Sequence, residues 1–228
     1  MTLAQRWCIF MKVPKPVIIV SGYIKLPHPR TRGDLSLEET LVFRRSQRSF
    51  QTTPLSTSEI SQVLWASYGW KEPEHGKGYT GKANRTCPSA GAIFPLEIYL
   101  MAGDIIDIPS GFYHFIPDEH ALKLVHDKDL REDLYNIAYP REMIRVAPAS
   151  LVYIAIESRV LERYGERGRQ RYISMDIGHS AQNVYLQAEA LGLGTCAIGA
   201  FDDEGLIQVL DLPAEEIPMY IMPFGYPV

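Results

Sequence analysis

The chain has 228 residues, 46% of them hydrophobic and 22% charged, which gives room for one sizeable core or at most two small ones. A formal charge of −4 and a pI near 5.9 argue against a nucleic-acid partner, which favours a basic surface. Three cysteines, Cys8, Cys87 and Cys196, are too scattered for a disulfide framework or a zinc site, and they fit a reducing, cytoplasmic compartment.

From the start, the apolar run of residues 1–24 is broken by Lys12, Pro14, Lys15 and Pro16, so no membrane span is expected. The run also lacks the clear apolar centre of a signal peptide, and Met11 is an alternative start. With Pro27 and Pro29 the same residues forbid a helix, so 1–35 reads as an extended N-terminal arm, laid over a surface or a partner subunit. Residues 36–228 are expected to form one domain.

SLEE at 36–39 is a capping box that opens a first helix, with Leu37 and Leu41 on one face, running into FRRS. STSE at 56–59 opens a second, in which Ile60, Val63, Leu64 and Ser67 recur at helical spacing up to Gly69. The polar stretch 72–86 is a loop, and PSAGAIFP (88–95) is a turn into the strand LEIYLMA. GFYHFI (111–116) and ALKLV (121–125) form a hairpin around Pro117-Asp118; DLREDLYNIA (129–138) is an amphipathic helix. SLVYIAIE (150–157) is a buried strand, and 158–170 reads as a variable loop. The longest helix covers 173–193, with Ile173, Ile177, Ala181, Val184, Ala188 and Leu191 in one stripe and Gly192 and Gly194 at its end. TCAIGAF is a short strand or turn, DDEGLIQVL a short helix and IPMYIMPFGY (217–226) a closing strand. Helices and strands mix without regular alternation, so the fold class is α+β.

Several short motifs carry possible chemistry. FRRSQRSF (43–50) packs three arginines into five residues, with Phe43 and Phe50 expected to hold the segment against the core. One reading is a solvated helix end; the other is an anion grip, since guanidinium groups suit bidentate binding of phosphate and Ser46 adds a hydroxyl. PSAG is a tight turn, or a set of amides and a hydroxyl presented to a planar ring. GLGTCAIG (192–199) follows a helix and does not match the dinucleotide fingerprint; Gly194 would let backbone approach a flat ligand. Cys87 has no histidine near it in sequence, and His179, three residues after Asp176, reads as a satisfied interior or interface side chain. Asp202, Asp203 and Glu204 read as capping residues, and no metal cluster is visible.

RRSQRSF after a capped helix, PSAGAIFPLEIYL, a long helix ending GHSAQNVYLQAEALGLGT and a terminal PFGYP together resemble the FMN-dependent nitroreductase superfamily. Within it they resemble the subgroup related to dehydrogenases that oxidise azoline rings in streptolysin-type and microcin-type peptides. The likeness covers about residues 26–228. It implies an interlocked α+β homodimer with a central, mostly antiparallel sheet flanked by helices, and FMN in each interfacial cleft. By that resemblance Arg44, Arg45 and Ser46 match positions that hold the FMN phosphate. Arg48 matches one that reaches the ribityl chain and pyrimidine edge. Pro88, Ser89, Ala90 and Gly91 match a segment lying along the flavin from the other subunit, and Leu193, Gly194 and Thr195 one near its dimethylbenzene and N5 region. No catalytic residue is assigned.

The implied activity is ping-pong hydride transfer, from NADH or NADPH to the flavin N5 and then to an electron-poor small-molecule acceptor. Two features depart from the family pattern. Many relatives continue past GYP with basic residues that grip the phosphate, whereas Val228 ends this sequence, which would place more of that task on Arg44 and Arg45. The Lys–Tyr pair associated with azoline oxidation has Arg171-Tyr172 as its nearest match, and arginine is a poor proton shuttle. The alternatives are therefore an azoline-type dehydrogenase reoxidised by oxygen, or a non-catalytic flavin- or anion-binding protein.

Overall fold

The apolar runs assemble into one eight-stranded sheet in which every paired neighbour is antiparallel. The computed structural model describes Ile19, Val20 and residues 22–71, 85–213 and 215–228. Its strands are β1 (Ile19–Val20), β2 (Tyr23–Lys25), β3 (Leu96–Ala102), β4 (Gly111–Ile116), β5 (Ala121–His126), β6 (Ala149–Ile156), β7 (Gly194–Thr195) and β8 (Glu216–Gly225). Their order is β1-β2-β5-β4-β3-β6-β8-β7. β6 lies between β3 and β8, and all of its residues are buried.

That continuous burial follows from helices on both faces. Leu151, Tyr153 and Ala155 point into one cluster with Ile60, Val63 and Leu64 of α2 (Thr57–Tyr68) and the stripe of α6 (Ile173–Ala190). Val152 and Ile154 point the other way, toward Leu134 of α3 (Arg131–Ile137), Ile144 of α4 (Glu142–Val146) and Leu206 and Leu210 of α7 (Asp203–Leu210). The strand period of two sorts the residues, so a run without polar alternation is what a central strand needs. Both capping boxes form, at Ser36 with Glu39 and at Ser56 with Glu59. Asp202 takes the N-cap position of α7 without a side-chain cap bond.

Three expectations change. First, α1 spans Leu37–Phe43 and stops there, because Arg44 leaves the helical region at ψ 124°. Phe43 is 56% exposed, so of the two aromatics flanking the arginines only Phe50, at 5%, holds the segment to the core. Secondly, 158–170 is not a loop: α5 (Glu157–Arg167) kinks at Gly165, where φ is +57°, and a π-helical turn over Gly168–Tyr172 leads into α6. Only Val160 of α5 is buried, so this charged helix lacks an apolar stripe to announce it. Thirdly, part of the proline-rich N-terminal segment joins the sheet, with Ile24 opposite Leu122.

The C-terminal tail is tied to α2. Tyr226 donates its phenol to Glu59 Oε1 at 2.5 Å, while Glu59 Oε2 receives the Ser56 backbone N–H and hydroxyl, each at 2.7 Å. The carboxylate pushes the Tyr226 phenol up to about 12 and so keeps it a donor. Tyr226→Phe is expected to cost about 1 kcal/mol in urea unfolding, and Glu59→Ala about twice that, since it also removes the cap. Equal losses in the two variants would show that the carboxylate does not serve both ends.

Candidate functional site

The arginine segment has no regular structure of its own, and its place is set by the end of the sheet. Gln47 donates its backbone N–H to Thr195 O at 2.9 Å, and Ser46 bridges Thr195 in a parallel sense. A Cβ added to Gly194 would lie 2.5 Å from Gln47 Cγ and 2.6 Å from its Cβ, so the two chains meet where only glycine fits. On its other side the segment is held by the tail. Gln51 N donates to Tyr226 O and Val228 N to Ser49 O, at 2.9 and 3.3 Å. Residues 44–48 and 193–195, far apart in sequence, therefore form one wall.

Tyr185 on α6 supports that wall. Its hydroxyl accepts from Ala197 N at 2.8 Å and lies 3.2 Å from Ser46 Oγ, while Arg44 sits over its ring at 5.3 Å from the centroid. Arg45 and Arg48 are exposed, and Arg48 Nη1 reaches only Ser46 O, at 3.4 Å. Among the described residues no carboxylate lies within 4 Å of Arg44, Arg45 or Arg48. Three cations share a short wall without a counter-charge among the described residues.

The PSAG turn lies elsewhere in the chain. Ser89 Oγ donates to Asp176 Oδ2 at 2.5 Å and accepts from Phe94 N at 2.9 Å, so its hydroxyl is engaged on both sides. Arg163 Nη1 donates to Gly91 O at 3.0 Å. Gly91 has φ +60°, and a Cβ there would stand 2.5 Å from Tyr164 Oη. The turn is thus clamped between α5 and the N-terminal part of α6, with Pro88 exposed and Ala90 half-buried. Asp176 and Tyr185 are nine residues apart on α6, roughly 13 Å along the axis at the α-helical rise. The resemblance puts PSAG and the arginines around one ligand from different subunits; within a single chain they lie at different points along this helix.

Burial raises the Asp176 carboxyl above its usual range, against the lowering effect of the Ser89 hydroxyl and the Ala90 N–H. Cys87 is buried beside this turn, and burial together with the Asp176 charge pushes its thiol up to about 12, which suits a packed thiol and not a nucleophile. His179 is exposed, contrary to an interior placement. Among the described residues there is no group of His, Cys, Asp and Glu that would hold a metal, and no helix long and apolar enough to cross a membrane. Tyr185 and the Asp176–Ser89–Arg163 clamp are contributions that sequence reasoning missed. Tyr185 sat off the buried stripe of α6, and an aromatic at such a position was the one available signal.

Gly194→Ala is expected to force residues 45–48 away from the sheet edge, lowering affinity for inorganic phosphate or FMN at least tenfold in titration calorimetry. Gln47→Gly in the same chain should restore it. Asp176→Asn is expected to fold with little loss, because burial already opposes the charge. Asp176→Ala should cost about 1–3 kcal/mol in urea, by stranding the Ser89 hydroxyl and the Ala90 N–H.

Residues 41–226 match the Nitroreductase family. The Methanocaldococcus jannaschii protein MJ1384, which carries a nitroreductase name, is 38% identical over 192 residues, covering 84% of this chain and 91% of its own. The microcin B17-processing protein McbC of Escherichia coli is 26% identical over 178 residues, 75% of this chain; the match spans only 62% of McbC. Among solved structures, a nitroreductase-named protein of Ralstonia eutropha JMP134 superposes with a TM-score of 0.75 at 27% identity, covering 95% of each chain. A family match running from within α1 to the tail that pins the arginine wall, with a relative and a structure of nearly the same extent, means that the chain belongs to the nitroreductase family.

Proposed function

We propose that the protein is an FMN-dependent oxidoreductase of the nitroreductase type, working as a cytoplasmic homodimer with NADH or NADPH as donor. The observation that carries this reading is the arginine wall: Arg44, Arg45 and Arg48 stand together without a described acidic partner, against residues 193–195. A phosphate monoester supplies the missing charge, and it suits guanidinium geometry.

When bound, FMN supplies a two-electron relay that takes hydride from a reduced nicotinamide and passes it to an electron-poor acceptor. Arg44 and Arg45 hold its phosphate in this proposal, and Ser46 donates to the same group while Tyr185 donates to Ser46 Oγ. Tyr185 is aligned for that task by the Ala197 N–H it accepts. Arg48 would serve the pyrimidine edge, where a fixed cation would stabilise negative charge. Leu193, Gly194 and Thr195 would offer their backbone to the ring, since the Leu193 and Thr195 side chains are buried and Gly194 has none. Pro88, Ser89, Ala90 and Gly91 would approach the ring from the partner subunit, the turn being shaped by the Ser89–Asp176 hydrogen bond.

A second reading, an azoline-type dehydrogenase, draws on the similarity to McbC. Arg171 is exposed, and the Tyr172 hydroxyl accepts from Arg167 Nε at 3.3 Å. Tyr172 also meets Tyr164 edge-on at 4.9 Å, beside Gly91. A phenol near the PSAG turn fits that chemistry, yet Arg171 takes the place of a proton-transferring lysine. A non-catalytic flavin- or anion-binding role is the third outcome of the same test.

Purified protein is expected to be yellow and to bleach when NADH or NADPH is added without oxygen. Colour without bleaching favours the second reading or a binding role, and absence of flavin uptake rejects both enzyme readings. Arg44→Ala and Arg45→Ala should each weaken FMN binding about tenfold to a hundredfold, as expected for a lost charge-assisted hydrogen bond. Full flavin retention in the double variant would falsify the phosphate assignment. Sedimentation should give a dimer; a monomer binding FMN with undiminished affinity rejects the shared site.

A further inference from the structure

The segment that leads from PSAG into β3 has an uncommon backbone. Gly91, Ala92 and Phe94 have φ of +60°, +54° and +53°, so three of the residues 91–94 lie in the left-handed region and two of them are not glycine. Phe94 has two reasons to avoid that region: its Cβ, and Pro95 after it, which biases the preceding residue toward extended backbone. Backbone of this kind persists only where its surroundings hold it, and such places cluster at functional sites. On one side Ser89 is tied to Asp176 of α6, and on the other Pro95 O accepts the Ile156 N–H of β6 at 2.8 Å. The unfavourable residues span the gap between these two anchors.

What holds Phe94 can be followed from atom to atom. Its N–H donates to Ser89 Oγ at 2.9 Å, and its buried ring meets Tyr68 edge-on at 5.9 Å. Its carbonyl accepts from Arg159 Nη1 of α5 at 3.2 Å, and among the described residues no other donor reaches it. The same guanidinium donates through Nη2 to Glu97 Oε1 on β3. Glu97 Oε2 is bonded to His114 Nε2 of β4 at 2.8 Å, so both carboxylate oxygens are engaged and the guanidinium is aimed from a fixed point. The Glu97 side chain is 18% exposed, which shields the pair from water. Burial raises its carboxyl, but the bonds from His114 and Arg159 outweigh burial and hold it below the usual carboxylate range.

We propose that Glu97 and Arg159 are positioning residues for the flavin site: Glu97 aims Arg159, and Arg159 keeps Phe94 left-handed, so that PSAG holds the shape in which it is offered to the ring. This rests on the reading that the turn approaches FMN from the partner subunit, although the brace itself lies within one chain. It works from the end of the turn opposite to Asp176. Without Arg159 the Phe94 carbonyl loses its partner, and the residue can relax toward the extended backbone that Pro95 favours. The Ser89 Oγ bond to the Phe94 N–H would then be lost with it, since the two are fixed by the same peptide geometry.

The test compares Arg159→Ala, Arg159→Lys and Glu97→Gln with the unaltered protein, and Arg145→Ala, which removes a surface pair on α4, serves as control. Hydrogen exchange read by mass spectrometry reports the brace; FMN titration and the visible spectrum of bound flavin report the site. In Arg159→Ala the amides of residues 92–94 are expected to exchange about tenfold faster, as for one lost charge-assisted hydrogen bond. FMN affinity should fall by about the same factor, and the bound flavin's absorption band should move toward that of free FMN. Glu97→Gln should give both effects in smaller measure. Arg159→Lys, which can still donate to the Phe94 carbonyl, should recover part of each, and Arg145→Ala should change neither. Unchanged exchange at 92–94 in Arg159→Ala overturns the brace. Faster exchange with FMN affinity and spectrum unchanged overturns its role at the flavin. An unaltered protein that takes up no FMN overturns the flavin reading itself, a failure seen without any variant. If Arg159→Ala does not fold, Arg159→Lys and Glu97→Gln decide by the same two readouts.

Discussion

The contact between Gly194 and Gln47 sets where everything else in the arginine wall can be. Residues 44–50 belong to no helix or strand, and a segment of that kind wanders unless its backbone groups find partners. Here they find them at the last residues of the sheet: Thr195 O takes the Gln47 N–H, and Gly194 allows an approach that any side chain would block. The tail after β8 closes the other side through Ser49 and Gln51. Because β8 pairs with the buried β6 along nearly its whole length, the flexible-looking segment inherits the rigidity of the central sheet. Functional side chains on irregular backbone thus keep a fixed position without a helix beneath them.

The same segment stands out by what it does not do. Some of the other arginines have acidic partners, Arg131 with Asp129, Arg145 with Glu142, Arg159 with Glu97, and Arg169 with Glu157 and Glu166, while Arg30, Arg32, Arg141, Arg163, Arg167 and Arg171 have none among the described residues. Those pairs lie on the surface or at its edge and each contributes little to stability. What sets 44–48 apart is density, three such arginines within five residues of a sequence in which acids are not scarce. Arg45 and Arg48 are solvated, so water and salt screen their repulsion and the fold tolerates the cluster. Tyr185 takes up Arg44 through its ring, an interaction that leaves the guanidinium's hydrogen-bond donors available. What the fold tolerates is then useful to an anion.

How far the sequence could be read depended on whether a feature left a periodic or capping signal. β6, the stripe of α6 and both capping boxes were legible because burial on two faces, burial on one face and N-terminal hydrogen bonding each leave a pattern. α5 left none: its residues are mostly charged, one is buried, and Gly165 and Gly168 imitate a loop. Gly168 is in fact required by contact, since a Cβ there would overlap Val160 Cγ1. Phe43 misled for the opposite reason. An aromatic residue beside the arginines suggested core packing, but α1 turns Leu37, Leu41, Val42 and Phe43 outward. At the candidate site the arginines and glycines were visible as types, whereas the use of the Ser89 hydroxyl by Asp176 was not, because it joins residues 87 positions apart.

That last contact bears on how a site could be completed. Ser89, Ala90 and Gly91 are held by Asp176 and Arg163 at one part of α6, and the arginine wall is held by Tyr185 further along it. In the proposed dimer a twofold axis would bring the turn of one subunit to the wall of the other, and symmetry would then generate two equivalent sites. The clamp acquires a purpose in that arrangement. A turn offered across an interface has no help from its recipient before the subunits meet, so its shape has to be set from within its own chain. Engaging the Ser89 hydroxyl twice and filling the space beside Gly91 with Tyr164 does so, because it leaves the turn few alternative conformations to lose on assembly.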